Sequence, residues 1–340
     1  MYQNIPQNYG NPNSCPDEAQ QRAAAQKAAC ISAFKMQCGL LALTVILSVL
    51  LLYILQTFAS WLILDVLWGR NLPVSLDLIN ELFTTLLYLV AFLFPFLLYA
   101  KLVRYHTWEI PRDPPYPPVL AAVTGISLGL SVIGVISSMV LSLFFSIFGL
   151  FPMDIAFSFP QDPLAGLLMI VNTTAVPALI EEFTQRGIVL GSLRRYGDRF
   201  AIVVSALLFS LLHRNMVQIP NAFLLGLALG YFVVKTNSIW TGIAIHFVNN
   251  LLAILITLAT QNLYAPIAGI LQIALFFFYV VFAAFGLVYL VGIRRADLSV
   301  PKSRCPLRDL QLLGKFFTHF PVVMMLLLFA WVIFLNFSRL

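Results

Sequence analysis

Apolar residues in this chain run in long blocks, without the period-two alternation of a half-buried strand. Such blocks occupy 38–64, 82–103, 119–150, 164–190, 200–218, 220–235, 239–260, 265–293 and 317–337. A helix needs about 20 residues to cross a bilayer. The pattern therefore predicts an all-α polytopic membrane protein with about 8–9 transmembrane helices, any active site lying inside the helical bundle. The block at 220–235 is short, and Pro220 separates it from 200–218, so those two are expected to form a tight hairpin. Residues 1–36 are rich in Gln, Asn, Pro and Ala and lack an apolar run of signal-peptide length. They read as a polar cytoplasmic tail, disordered or partly helical. The rest divides into N-terminal transmembrane helices (37–163), a central helical core (164–262) and C-terminal helices with a basic loop (263–340).

Composition agrees with that pattern. Of 340 residues, 60% are hydrophobic and 10% charged, whereas soluble domains carry about 25% charged residues. Soluble globular, disordered, collagenous and disulfide-scaffold classes are excluded. The net charge of +6 resides mainly in loops and bears on topology, not on nucleic acid, which is not an expected partner. Arg22, Lys27 and Lys35 precede the first block; Lys101, Arg104 and Arg112 follow the second. Arg194, Arg195 and Arg199 follow the fourth, Lys235 the sixth, and six more basic residues, Arg294 to Lys315, the eighth. The intervening loops hold only Arg70. This alternation predicts a multi-pass protein of the cell membrane with its N-terminus in the cytoplasm. Cys15, Cys30, Cys38 and Cys305 lack metal-type spacing and read as free thiols in a reducing compartment.

Ionisable groups inside a span cost roughly 2.5–3.5 kcal/mol each on insertion scales and are candidates for function. They cluster in three places: AVPALIEEFTQRG with Glu181, Glu182 and Arg186; FSLLHRN with Phe209, His213, Arg214 and Asn215; and IAIHFVNN with His246, Asn249 and Asn250. Glu182 and Arg186 are four apart and can pair along one helix face. Glu181 points about 100° away and has no such partner in its own helix. His246 and Asn250 share a face. Glu181 lies 13 residues before Arg194, His213 14 after Arg199 and His246 11 after Lys235. At about 1.5 Å per residue all three reach one depth near mid-membrane.

A carboxylate, two imidazoles and an amide suit hydrolysis of an amide bond by an activated water. Glu181 would take the proton, His213 would orient the water, and His246 with Asn250 would donate to the oxyanion. No cofactor is required, although Glu181, His213 and His246 also make a His₂Glu set of the kind that binds zinc. There is no H-E-x-x-H in the chain. Gly125-x-Ser127-x-Gly129 matches G-x-S-x-G but lies in an apolar helix, without the strand–turn–helix such a nucleophile needs. Gly125 and Gly129, like Gly226 and Gly230, read as helix-packing positions. Asp65 has no acidic counterpart at matching depth.

Glu181-Glu182-x-x-x-Arg186, Phe209-x-x-x-His213 and His246-x-x-x-Asn250, in that order, resemble the three motifs of the CPBP intramembrane proteases, also called the Abi or CAAX-protease family. The resemblance extends over about residues 165–260 and includes Pro177, the GSLRRYGD turn and the KTNSIW turn. It implies a CPBP-like catalytic core and an endopeptidase, long classed as a metalloprotease, acting on a membrane-associated peptide or protein. It also implies Glu181 as base, His213 as its partner, His246 and Asn250 as oxyanion site, and Glu182 and Arg186 as orienting residues. Members include enzymes that remove three residues from prenylated CAAX proteins, and bacterial proteins linked to bacteriocin immunity; composition and tail are more similar to the bacterial group. Two other classes stay open: a membrane immunity or binding protein that needs no proteolysis, and a proton-coupled transporter, although no second copy of the motifs is present.

Overall fold

In a computed structural model, residues 16–70, 73–152, 158–301 and 305–339 are described. The main described helices are α1 (Pro16–Trp61), α2 (Leu76–Leu102), α3 (Pro117–Ile147), α4 (Pro163–Tyr196), α5 (Asp198–Leu212), α6 (Ile219–Thr236), α7 (Ile239–Thr260), α8 (Ala265–Ile293), α9 (Asp309–Phe317) and α10 (Phe320–Leu335). Nine of them answer to the nine apolar blocks, and α9 lies ahead of the last. The fold is an all-α polytopic membrane bundle. Seven described helices are long and apolar enough to cross a bilayer, or up to eight with α9 and α10, which meet at a 67° bend. Its only described sheet is a short antiparallel ladder, Leu150–Pro152 with Phe337–Arg339.

Proline marks many of the starts. Pro117, Pro163, Pro220, Pro266 and Pro321 stand in the first turns of α3, α4, α6, α8 and α10, where a missing N–H costs nothing. Two starts are tied together. Asp162 caps α4 by accepting from the Leu164 amide at 2.8 Å, and the Ser75 hydroxyl, which caps α2, donates to the other Asp162 oxygen. These bonds, the Ser75 hydroxyl foremost, hold the Asp162 carboxyl below the usual carboxylate range. A depressed folded-state pKa contributes stability above the unfolded value of about 3.9, and that contribution is lost as pH falls through the lower folded value. Asp162→Ala is accordingly expected to lower the Tm of the solubilised chain at pH 7, the gap to wild type closing as pH drops well below about 4.

The tail at 1–36, expected to be disordered or partly helical, is helical over its described part: residues 16–36 run continuously into the first span. Their sequence, rich in Ala, Gln, Arg and Lys, has high helix propensity; residues 1–15, Cys15 included, lie outside the described residues, as do Lys302 and Arg304. The fifth block ends at Leu212, not 218. Its 15 residues make only about 22 Å of helix, and the turn that follows holds Arg214 at φ 56°.

The largest core cluster joins α1 (Phe34, Cys38, Leu41, Val45) to α5 (Phe200, Val204) and to α9 and α10 (Phe316, Phe329). Gly125 and Gly129 of α3 sit against Phe282 and Ala283 of α8, too close for a side chain, and a Cβ on Gly226 of α6 would stand 3.1 Å from Ala206 of α5, a tight contact. They are packing faces. Ser127 is fully buried with its hydroxyl donating to the Val123 carbonyl at 2.7 Å.

Candidate active site

The site is built on an irregular helix. Thr174 interrupts α4 ahead of Pro177, and from Glu182 to Leu190 the helix has π geometry. Such widened turns recur at functional positions. Here the turn buries Glu182, Thr184, Gln185 and Arg186 together.

Glu182 is fully buried, and one of its oxygens, Oε1, takes two donors. Arg186 Nη1 stands at 2.8 Å and His246 Nδ1, from α7, at 3.0 Å. Arg186 also donates from Nη2 to the Gly226 carbonyl at 3.1 Å, and its guanidinium lies 4.2 Å over the Phe209 ring. That ring meets His213 and His246 edge-on, with centroids 5.0 and 5.4 Å apart. Phe209 is thus the apolar hub between the ion pair and both histidines. The expected Glu182–Arg186 pair is present, and the bond from His246 is an addition that helix periodicity could not reveal.

Gly242 makes the contact between α4 and α7 possible. A Cβ there would stand 2.7 Å from Glu182 Oε2 and 2.9 Å from Val233 Cγ2. Overpacking a filled interior costs about 1–3 kcal/mol. Gly242→Ala is therefore expected to lower the Tm and to weaken any activity that depends on His246. Gly269→Ala, where a Cβ meets nothing within 4 Å, serves as the neutral control in the same melting experiment.

Glu181 faces away from that knot. It lines a cavity of about 230 Å³ with Gln185 of α4, His213 and Arg214 at the end of α5, Tyr88 of α2 and Gln56 of α1. Its carboxylate makes no side-chain hydrogen bond among the described residues. His213 Nδ1 lies 2.9 Å from the Phe209 carbonyl. A carbonyl only accepts, so Nδ1 carries the proton and Nε2 of the neutral ring keeps its lone pair. A free carboxylate and an imidazole acceptor on one cavity can hold a water and take its proton.

Asn250 and His246 do not line that cavity. Asn250 Oδ1 accepts from Asn249 Nδ2 at 3.2 Å, which leaves its own N–H donors unspent, and His246 is 2% exposed. Among the described residues no three His, Cys, Asp or Glu side chains form a metal-holding group. Glu181, His213 and His246 therefore do not fit a zinc ion as they stand, and no step is derived through one. Several cavity residues lie outside the motifs, among them Gln56, Tyr88 and Gln185, while Arg214 directly follows the histidine of the second motif. Gln185 had a signal, since it lies four residues after Glu181, on the glutamate's own side of the helix. Tyr88 had none, because α2 carries no motif.

Residues 163–252 match the family model described as Rce1-like, type II CAAX prenyl endopeptidase. No curated protein and no solved structure matches the chain. The matched segment opens at Pro163, the first residue of α4, and closes two residues after Asn250, so it holds Glu181, the buried knot and both histidines. The stretch that carries the site is thus the part of the chain that is similar to the Rce1-like endopeptidases, and its motifs resemble those of the CPBP/Abi group.

Proposed function

We propose that this protein is an intramembrane endopeptidase that hydrolyses a peptide bond of a membrane-associated, CAAX-type substrate with a water activated by Glu181. The observation that carries the reading is the division of labour between adjacent glutamates. Glu182 is locked by Arg186 and His246 in a dry pocket, while Glu181 opens onto a cavity beside a histidine with a free acceptor nitrogen. The Rce1-like match over the same helices supports it.

In this mechanism Glu181 takes a proton as the water oxygen adds to the scissile carbonyl carbon. His213 Nε2 orients that water. The oxyanion role that the motifs imply for Asn250 and His246 needs the substrate carbonyl to reach past the cavity lining, which includes neither residue, and His246 Nε2 donates only when the ring is protonated on both nitrogens. Glu181 then returns its proton to the departing amine as the C–N bond breaks. The cell membrane is the working place, with the basic helix ends on the cytoplasmic side.

The test compares protein termini, by mass spectrometry of membrane fractions, between cells carrying wild type and Glu181→Gln at equal expression. Termini present only with wild type, and insensitive to a chelator, are the expected result. Identical profiles with an unchanged cellular phenotype would replace this reading with an immunity or binding role. Proton-coupled solute uptake by the reconstituted protein would replace it with transport.

A further inference from the structure

We propose that the cavity beside Glu181 reads the free C-terminal carboxylate of its peptide, and that the Arg214 guanidinium does the reading. The inference rests on the peptidase reading above and names the residue that holds the chain end of its substrate.

Arg214 is a cation in an apolar bundle with no carboxylate within ion-pair distance among the described residues. Its Nε is buried and has no hydrogen-bond partner. A guanidinium stays charged in a protein, and a charge left without a counter-ion inside a membrane bundle marks a site for a ligand or ion. Its placement is enforced. The residue holds φ 56°, a left-handed conformation that is unfavourable for a non-glycine residue. Asn336, just beyond α10, donates from Nδ2 to the Arg214 carbonyl at 2.8 Å, and the Tyr53 ring of α1 lies 5.4 Å from the guanidinium. Both anchors stand outside the Rce1-like segment. The flanking helices of this chain thus turn a cation into the cavity that the core helices form.

A second, independent observation identifies the anion as part of a peptide. Gln185 lines the same cavity, is 1% exposed, and among the described residues neither its Nε2 nor its Oε1 has a partner. A buried polar group left unpaired is costly. One carboxamide offers one acceptor and one kind of donor, the complement of a peptide N–H and C=O. A lipid phosphate has no N–H to give Gln185 Oε1. Arg214 supplies the planar fork that fits a carboxylate, Gln185 supplies the partner of a peptide link, and Glu181 with His213 supplies the water. A chain end seated this way presents a bond a fixed distance from its terminus.

The experiment uses the full chain in nanodiscs and a fluorescein-labelled peptide ending in farnesyl-cysteine plus three residues. The peptide is made with either a free terminal carboxylate or a terminal amide. Binding to Glu181→Gln by fluorescence anisotropy is expected to favour the acid about tenfold or more. Adding Arg214→Gln brings the ratio to about one, and Arg214→Lys keeps part of it. In the wild-type background the same preference appears in kcat/KM, carried by KM. Equal binding of acid and amide to the Arg214-intact chain would overturn the inference, with no dependence on whether any Arg214 variant folds. So would an equal loss for both peptides in Arg214→Gln, or displacement of the acid peptide by phosphatidylglycerol alone. Acid-selective binding with no cleavage by wild type would sink the peptidase reading and keep this one. Cleavage indifferent to the terminus would do the reverse.

Discussion

Glu181→Gln is expected to lower peptidase turnover by about 10²–10⁴-fold, the usual contribution of a positioned general base. Thermal stability should stay at the wild-type level. Both halves come from one observation: the Glu181 carboxylate lines a cavity and makes no side-chain hydrogen bond among the described residues. Gln keeps the shape and loses the basicity. The check is a progress curve on a labelled membrane peptide beside a melting curve of the same preparation. A variant with full turnover would remove Glu181 from the mechanism. One that had lost both turnover and Tm would give it a structural role.

Glu182→Gln should behave in the opposite way. It leaves the Arg186 guanidinium buried without its counter-charge and weakens the acceptor of His246. Breaking one side of a buried ion pair costs about 3–5 kcal/mol. A large fall in Tm and in yield is expected, with activity lost as a consequence. Replacing both partners by apolar groups avoids stranding a charge, so Glu182→Leu with Arg186→Met should be less destabilised than the sum of the single changes. Melting curves of the four proteins measure that coupling. Additive losses would show that the two residues act separately.

The contrast between these glutamates was half legible in the sequence. Spacing alone pairs Glu182 with Arg186 and turns Glu181 away, and the structure has the pair at 2.8 Å. Matched depth put Glu181 and His213 at one level, and they share a cavity. The bond from His246 to Glu182 was not legible, because it depends on how closely α4 and α7 approach. The one trace of that approach is Gly242, four residues before His246 on the same face of α7. Arg214 stood in the polar cluster of the fifth block, yet its left-handed backbone depends on Asn336, 122 residues away. The nine blocks gave the helices to within a few residues at most ends. The larger departures fell at 16–36, where polar sequence continues a helix; at 213–218, a mostly polar stretch that turns away instead of extending α5; and at 309–316, where α9 lies ahead of the last block.

The π-helical stretch from Glu182 to Leu190 places this protein's stability and its chemistry in competition. An ordinary α-helix is the cheaper backbone, and one fewer residue in that stretch would allow it. The same deletion would rotate everything on one side of it by about 100° relative to the other. Glu181 would then lose its register with His213 and the cavity. Selection for heat resistance alone should therefore enrich clones with a residue removed between Glu182 and Leu190, hardier than the parent and inert. A laboratory lineage asked to keep both properties would have to hold the extra residue and find its stability elsewhere, in the lipid-facing helices far from the site.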